Sequence, residues 1–137
     1  MDTTTAPLPT RTPHQVASSL YTALVDGDVA TAAELLDPEV VLHVPGTHAL
    51  AGVHRGLDGV LAFTAGTAAA TDDGESIEVL DVLVGAERVG VVCRVTATRG
   101  ERRLDNSTIH LLRIRDGRVT EIHLHNFDGV AVDAFWS

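Results

Sequence analysis

The sequence predicts an α+β domain whose helix-rich first half folds into the hollow of a curved, mixed or antiparallel sheet and leaves a central pocket. Three observations carry that prediction. Helix signals crowd the first seventy residues, and long β-branched segments fill most of the remainder. Gly, Pro or Asp-Gly punctuation separates the segments. The chain of 137 residues, 45% of them apolar, is long enough for one core and too short for a second.

The elements follow in order. Residues 1–12 are rich in Thr and Pro and read as a disordered tail, and the folded domain is expected over 13–137. Thr12-Pro13-His14-Gln15 combines a cap, a first-turn proline and a capping-box partner, so a helix starts there. Val16, Leu20, Ala23 and Leu24 give it an apolar stripe, and Gly27 ends it. Asp28 caps a second helix over Val29–Leu36, which stops before Asp37-Pro38. Glu39–Val44 reads as a strand ended by Pro45-Gly46, followed by a loop carrying His48, Gly52, His54 and Gly56. A third helix is predicted over Asp58–Ala70, with Val60, Leu61 and Phe63 facing inward. Asp72, Asp73 and Glu75 read as a solvated loop. Strands are predicted at Ser76–Val84, Arg88–Thr98, Arg103–Arg115 and Arg118–Phe127, with a short closing turn or helix through Phe135-Trp136.

Composition excludes several functions. The net charge is −9 and all ten basic residues are Arg, so no basic surface for nucleic acid is expected. No apolar run approaches the ~20 residues of a membrane span, and the N-terminal stretch lacks the basic start and apolar middle of a secretory signal. Cys93 is the single cysteine, which fits a reducing, cytoplasmic compartment. It sits mid-strand among valines and reads as core. Neither a phosphate loop, a dinucleotide glycine fingerprint nor a serine elbow is present, and no cofactor is expected.

Four segments carry a family resemblance: Leu20–Asp28, Val41–Gly46 with Leu50–Gly56, Leu112–Glu121, and Asp128 with Asp133–Trp136. Together they resemble the nuclear transport factor 2-like superfamily, especially SnoaL-like polyketide cyclases and their actinobacterial relatives. The resemblance implies a cone-shaped fold, a hydrophobic small-molecule ligand and a homodimer formed through the sheet. The superfamily holds isomerases, dehydratases, cyclases, epoxide hydrolases and non-catalytic modules, so the fold leaves the function open.

The hairpin at Asp116-Gly117 decides which side chains share the pocket. A two-residue turn sets His110 opposite His123, whereas a three-residue loop with Gly117 in a bulge sets it opposite Ile122. The second is favoured because it gathers Asn106, Thr108, His110, Leu112, Ile122, Leu124, Asn126 and Asp128 on one face. Apolar walls with a few polar groups are what ligand pockets contain. Glu121, His123 and His125 then face the other way. The first register would set His110, His123 and His125 together, with Glu121, as zinc or iron ligands. The favoured one separates them, and no metal is expected.

His110 is the first catalytic candidate, since imidazole titrates near neutrality, and the resemblance places the hydrogen-bonding acid of ketosteroid isomerases at that position. Asp128 is the second, matching the acid/base aspartate that the resemblance places at the end of the last strand in SnoaL-like cyclases. Tyr21, His43, Asn106, Thr108, Ile122, Leu124, Asn126 and Trp136 are expected to bind substrate. The isomerase base falls at Val44, which cannot take a proton, so His43 replaces it only if a bulge turns it inward. Tyr21 stands one position from the isomerase tyrosine. The Asp–Arg–Asp arrangement of epoxide hydrolases has no match, since Arg113 faces outward and Asp105 lies on the opposite face from Asp128. The sequence therefore points to a cofactor-free cyclase or isomerase acting on an oxygenated hydrophobic substrate such as a polyketide or steroid. A non-catalytic binding or dimerisation module, its centre filled by side chains, is the alternative.

Overall fold

The computed structural model describes residues 11–137, so all but Arg11 and Thr12 of the expected tail lies outside the described residues. Helix α1 (Pro13–Asp26) starts at the expected capping box: Thr12 Oγ1 accepts from Gln15 N at 3.2 Å and Gln15 Oε1 accepts from Thr12 N at 2.9 Å. Its buried face is Val16, Ala17, Leu20, Tyr21 and Ala23. Gly27, at φ 70°, closes it in the left-handed conformation. Asp28 caps α2 (Val29–Leu35) through Thr31 N.

Strand β1 (Leu36–Val44) begins three residues earlier than the sequence predicts. Pro38 cannot donate to a ladder, but it falls in the stretch between Leu36 and Val41 where pairing with the neighbouring strand is interrupted. Strand β2 (Gly52–Arg55) falls where the sequence predicts loop; it is four residues long, largely exposed and lacks an apolar alternation. It pairs antiparallel with β1, Val41 opposite Arg55 through Val44 opposite Gly52. Helix α3 (Gly56–Ala70) follows, then β3 (Ser76–Val84), β4 (Arg88–Arg99), β5 (Arg102–Arg115), β6 (Arg118–Asn126) and α4 (Gly129–Trp136).

The six strands form one sheet in the order β2-β1-β6-β5-β4-β3. Only β1 and β6 run parallel; the other pairs are antiparallel. The sheet curves around α1, α2 and α3. The enclosed core includes Val16, Leu20, Leu35, Val40, Val89, Val91, Leu112 and Val119. Cys93 is fully buried within it, and desolvation pushes its thiol up to about 11.

The last hairpin corrects both proposed registers. Asp116 (φ 53°) and Gly117 (φ 77°) are both left-handed, as a two-residue type I′ turn requires, and Arg115 pairs with Arg118. Beyond Ile114–Val119 the register shifts by one residue, at Thr120, so Arg113 meets Glu121 and His110 meets Leu124. His110 therefore faces neither Ile122 nor His123 across the ladder. The bulge still leaves the favoured residues on the inner face. Leu112 and Ile122 are buried, whereas Glu121 and His123 stay partly open outside. Apolar burial dictates that parity, and the bulge reconciles it with a tight Asp-Gly turn.

Leu112, completely buried near the C-terminal end of β5, should be a stability anchor. Leu112→Ala is expected to cost about 3 kcal/mol in urea unfolding, while exposed Phe127→Ala should cost under about 0.5 kcal/mol.

Candidate functional site

Helices α1–α3 do not fill the hollow of the sheet. A cavity of about 230 Å³ remains, walled by side chains such as Leu20, Leu42, Val60, Phe63, Val95, Leu104, Ile122 and Leu124. This falls somewhat below the ~300 Å³ lower end of ordinary ligand clefts, so it suits a compact ligand. The centre is not packed with side chains, as a vestigial binding module would have it. Polar groups reach the cavity at a few places. Among the described lining residues none is Arg, so the cavity offers no guanidinium to an anionic ligand.

His110 sits on the inner face of β5. The Tyr21 hydroxyl, delivered from the buried face of α1, lies 2.6 Å from His110 Nδ1. Burial raises the Tyr21 phenol well above its ordinary 10.0, so it keeps its proton. Burial also lowers His110 from its ordinary 6.5 to about 4, so the imidazole is neutral at neutral pH. The phenol has no other hydrogen-bond partner among the described residues, so donation of its O–H to Nδ1 is the arrangement that leaves the phenol proton partnered. Nε2 then carries the ring proton and is free to donate to a ligand.

Two residues further along the same face, Thr108 Oγ1 donates to the His125 carbonyl at 3.1 Å. Beyond it, Asn106 Nδ2 donates to Asn126 Oδ1 at 2.9 Å. All three line the cavity, as do Ile122, Leu124 and Trp136. The polar side chains form a short ladder because alternate residues of a strand share a face.

The structure reveals two cavity groups that the sequence reading missed. Glu75, assigned to a solvated loop, lines the cavity instead. The preceding residues are tied down: Asp72 N donates to Thr98 O at 2.9 Å, and the Asp72 carboxylate accepts from Gly100 N. This pins the α3–β3 connection to the β4–β5 turn and directs Glu75 inward. Desolvation raises its pKa, and the nearby Thr67 hydroxyl only partly opposes that. Asp28, another carboxyl at the cavity, is exposed and engaged as the α2 cap. Hydrogen bonds from Thr31 lower its pKa. The run Asp72-Asp73-Gly74-Glu75 looks solvated in one dimension; only its tether to Thr98 and Gly100 reveals otherwise.

His48, noted only as a loop residue, is the second. Its Nδ1 accepts from Leu50 N at 3.2 Å, which leaves Nε2 as the protonated nitrogen, buried and without a partner among the described residues. Desolvation lowers its pKa, although the neighbouring Asp133 charge and the nearby Pro45 backbone act the other way. The loop is fastened to α4 because Asp133 Oδ1 accepts from Thr47 N at 3.0 Å. Gly46, at φ 111°, leaves room for that contact; a Cβ there would collide with the Asp133 carboxylate. Trp136 of α4 packs beside the His48 ring, centroids 6.2 Å apart.

Two predicted site residues lie elsewhere. Asp128 follows the end of β6 and caps α4, accepting from Ala131 N at 3.1 Å. It is exposed and does not line the cavity, because helix initiation takes the chain out of the sheet at that residue. His43 points to the outer face, where its Nε2 lies 2.9 Å from Glu121 Oε2. No bulge inverts it: β1 alternates regularly there, with Leu42 and Val44 inside. The set of His110, His123 and His125 does not form, since His110 is on the opposite face. The Arg94–Asp105 pair lies exposed outside the cavity, which leaves no epoxide-hydrolase arrangement within it.

The SnoaL-like domain family model matches residues 17–122. Protein Rv0034 of Mycobacterium tuberculosis, itself uncharacterised, is 36% identical over 118 residues, spanning 85% of this chain and 90% of its own. Bal32a, from a soil-derived mobile gene cassette, superposes with a TM-score of 0.88 at 31% identity, covering 91% of this chain and 96% of that one. IdmH of Streptomyces antibioticus, a candidate polyketide cyclase, has a TM-score of 0.71 at 25% identity over 85% of this chain and 93% of its own. Solved nuclear transport factor 2-like proteins share the fold. No helix among the described residues is long and apolar enough to cross a membrane.

Burial of His110 makes stability depend on pH. The unfolded imidazole takes up a proton near 6.5 and the folded one only near 4, so the contribution is present above 6.5 and lost as pH falls toward 4. At pH 4.5 about 2.5 kcal/mol of it should be gone. Urea unfolding of wild type and His110→Gln at pH 7.5 and 4.5 should show the variant losing correspondingly less stability on acidification.

Proposed function

We propose that this chain, a member of the SnoaL-like domain family, catalyses cofactor-free proton transfer on a compact, neutral, oxygenated hydrophobic molecule. The observation that carries this reading is the neutral His110 imidazole, braced by Tyr21 at 2.6 Å, on the wall of a largely apolar cavity. A donor fixed in a low-dielectric site stabilises negative charge developing on a substrate oxygen without reorganising. A neutral imidazole does so without requiring a permanent countercharge.

Glu75 supplies the complementary group. Its raised proton affinity suits a carboxylate that must take a proton from carbon and give it back. In the ladder, Ser76 aligns through Thr96 with Asp105, five residues along β5 from His110. At ~3.3 Å per residue along the strand and ~4.8 Å for each of two strand spacings, the two backbones stand roughly 19 Å apart, and both side chains line the cavity between them. The two groups thus address opposite ends of a conjugated ligand. Glu75 removes a proton from carbon, and the electron pair delocalises to the oxygen held by His110 Nε2–H. Returning the proton to a different carbon completes an isomerisation; attack of the enolate carbon on a second carbonyl breaks that C=O π bond and forms a ring, and the resulting alkoxide takes up the proton that Glu75 removed. Asn106, Asn126 and His48, which also line the cavity, orient further oxygens. IdmH supports the cyclisation branch by its likeness alone.

Deuterium uptake tests the reaction class without knowledge of the product. A panel of cyclic enones and diketones is first screened for thermal stabilisation of the protein. Compounds that stabilise it are then incubated in D2O, and exchange at carbons activated by the carbonyl is followed by NMR. Wild type should exchange at least one such compound, with the rate falling roughly 10²–10⁴-fold in Glu75→Gln and at least tenfold in His110→Ala. Asp128→Asn should remain near wild type. Cavity-binding ketones that exchange no faster than in buffer would leave a binding module as the correct reading.

A further inference from the structure

A second constellation lies on the outer face of the sheet, away from the cavity. Parallel pairing of β1 with β6 sets His43 directly beside His123, and Glu121 is two residues back on the same face of β6. The two imidazole rings stack with centroids 3.9 Å apart and 2° between their planes. One carboxylate oxygen, Glu121 Oε2, lies 2.9 Å from His43 Nε2 and 3.5 Å from His123 Nε2. The three potential ligand atoms all fall within 4.8 Å of one another. Each side chain is partly open, at 32%, 35% and 37% of its full exposure for His43, Glu121 and His123.

We propose that His43, Glu121 and His123 form a surface site for a divalent first-row transition-metal ion, with Zn²⁺ as the probe. Two imidazole nitrogens and one carboxylate oxygen are a donor set that such ions prefer, and three protein ligands leave a fourth position open to solvent. The distances fit. Bonds of ~2.0–2.1 Å at tetrahedral angles place neighbouring ligand atoms about 3.4 Å apart. The two nitrogen–oxygen separations lie close to that, and rotation of the two rings out of their parallel stack, so that both Nε2 lone pairs converge on one point, admits the ion. Both histidines are held at paired positions of neighbouring strands, so only side-chain torsions need to adjust. Arg113 Nε stands 3.9 Å from the other carboxylate oxygen, Oε1, which leaves Oε2 directed at the imidazoles. An ion here ties β1 to β6 at the one parallel seam of the sheet and adds stability by mass action. It takes no part in the chemistry of the cavity, whose failure or success leaves this site unaffected.

The test is titration of protein carrying no added histidine tag with Zn²⁺, read by calorimetry and by thermal unfolding. Co²⁺ titration, read by its visible absorption, reports the coordination geometry. Wild type should bind one equivalent with micromolar affinity, and its melting temperature should rise with metal concentration. His43→Ala, His123→Ala and Glu121→Gln should each weaken binding roughly tenfold or more, since even losing an outer hydrogen-bond partner of a metal ligand costs ~10–100-fold. His14→Ala, at an exposed position of α1, should bind as wild type. Far-UV circular dichroism confirms that each partly exposed variant folds, and the Glu121→Gln change preserves shape. Wild-type protein that takes up no Zn²⁺ at millimolar concentration would overturn the proposal. Binding of equal affinity in the His43→Ala/His123→Ala double variant would overturn it as well.

Discussion

The structure depends on the parity of one hairpin. A tight Asp116-Gly117 turn and an apolar inner face on β6 are incompatible in a perfectly regular ladder, because the turn fixes which residues oppose. The extra residue at Thr120 reconciles them. It keeps Ile122, Leu124 and Asn126 on the concave side with Asn106, Thr108 and His110, and Glu121, His123 and His125 on the convex side. Without it, the floor of the cavity would carry imidazoles and a carboxylate, and the apolar residues would face solvent. The same device therefore creates both the cavity floor and the outer histidine cluster.

The chemistry of the cavity follows from desolvation. His110 and Tyr21 are both driven by burial toward their neutral forms, and a neutral phenol and a neutral imidazole satisfy each other through one short hydrogen bond. With the phenol as donor in that pair, the one remaining donor of the ring is Nε2–H. At the other end, burial drives Glu75 toward protonation. A cavity with neutral donors, a reluctant carboxylate and no guanidinium selects against anions and for neutral oxygenated molecules. Its modest volume points further toward compact ligands than toward large polycyclic ones.

Much of the fold was legible because its signals are local. The Thr12–Gln15 capping box, Gly27, Asp28 and the alternating segments of β3 to β6 each sit within a few residues of the feature they specify. Strand β2 was not legible, since four exposed residues show no period. The inward set on β5 and β6 was read from apolar alternation, although the bulge that produces it was placed in the turn. Where local and distant demands competed, the local reading failed. Asp128 is an exception, since the signal it follows is also local: it caps α4 through Ala131 N, three residues on. Glu75 was read as solvated, but it is drawn inward by a tether to residues more than twenty positions away. His43 meets Glu121 and His123 only through the parallel β1–β6 seam, a pairing that no sequence period announces.

The state of His110 is the point on which the functional reading turns, and ¹⁵N NMR of its imidazole across a pH series reports it directly. The predicted result is a ring that stays neutral down to about pH 4, with Nδ1 unprotonated and accepting from Tyr21 and the proton on Nε2. Tyr21→Phe should remove the hydrogen-bond shift at Nδ1. A ring that titrates near 6.5, or that carries its proton on Nδ1, would contradict the account, because the cavity would then present a solvated base or a lone pair in place of a fixed donor.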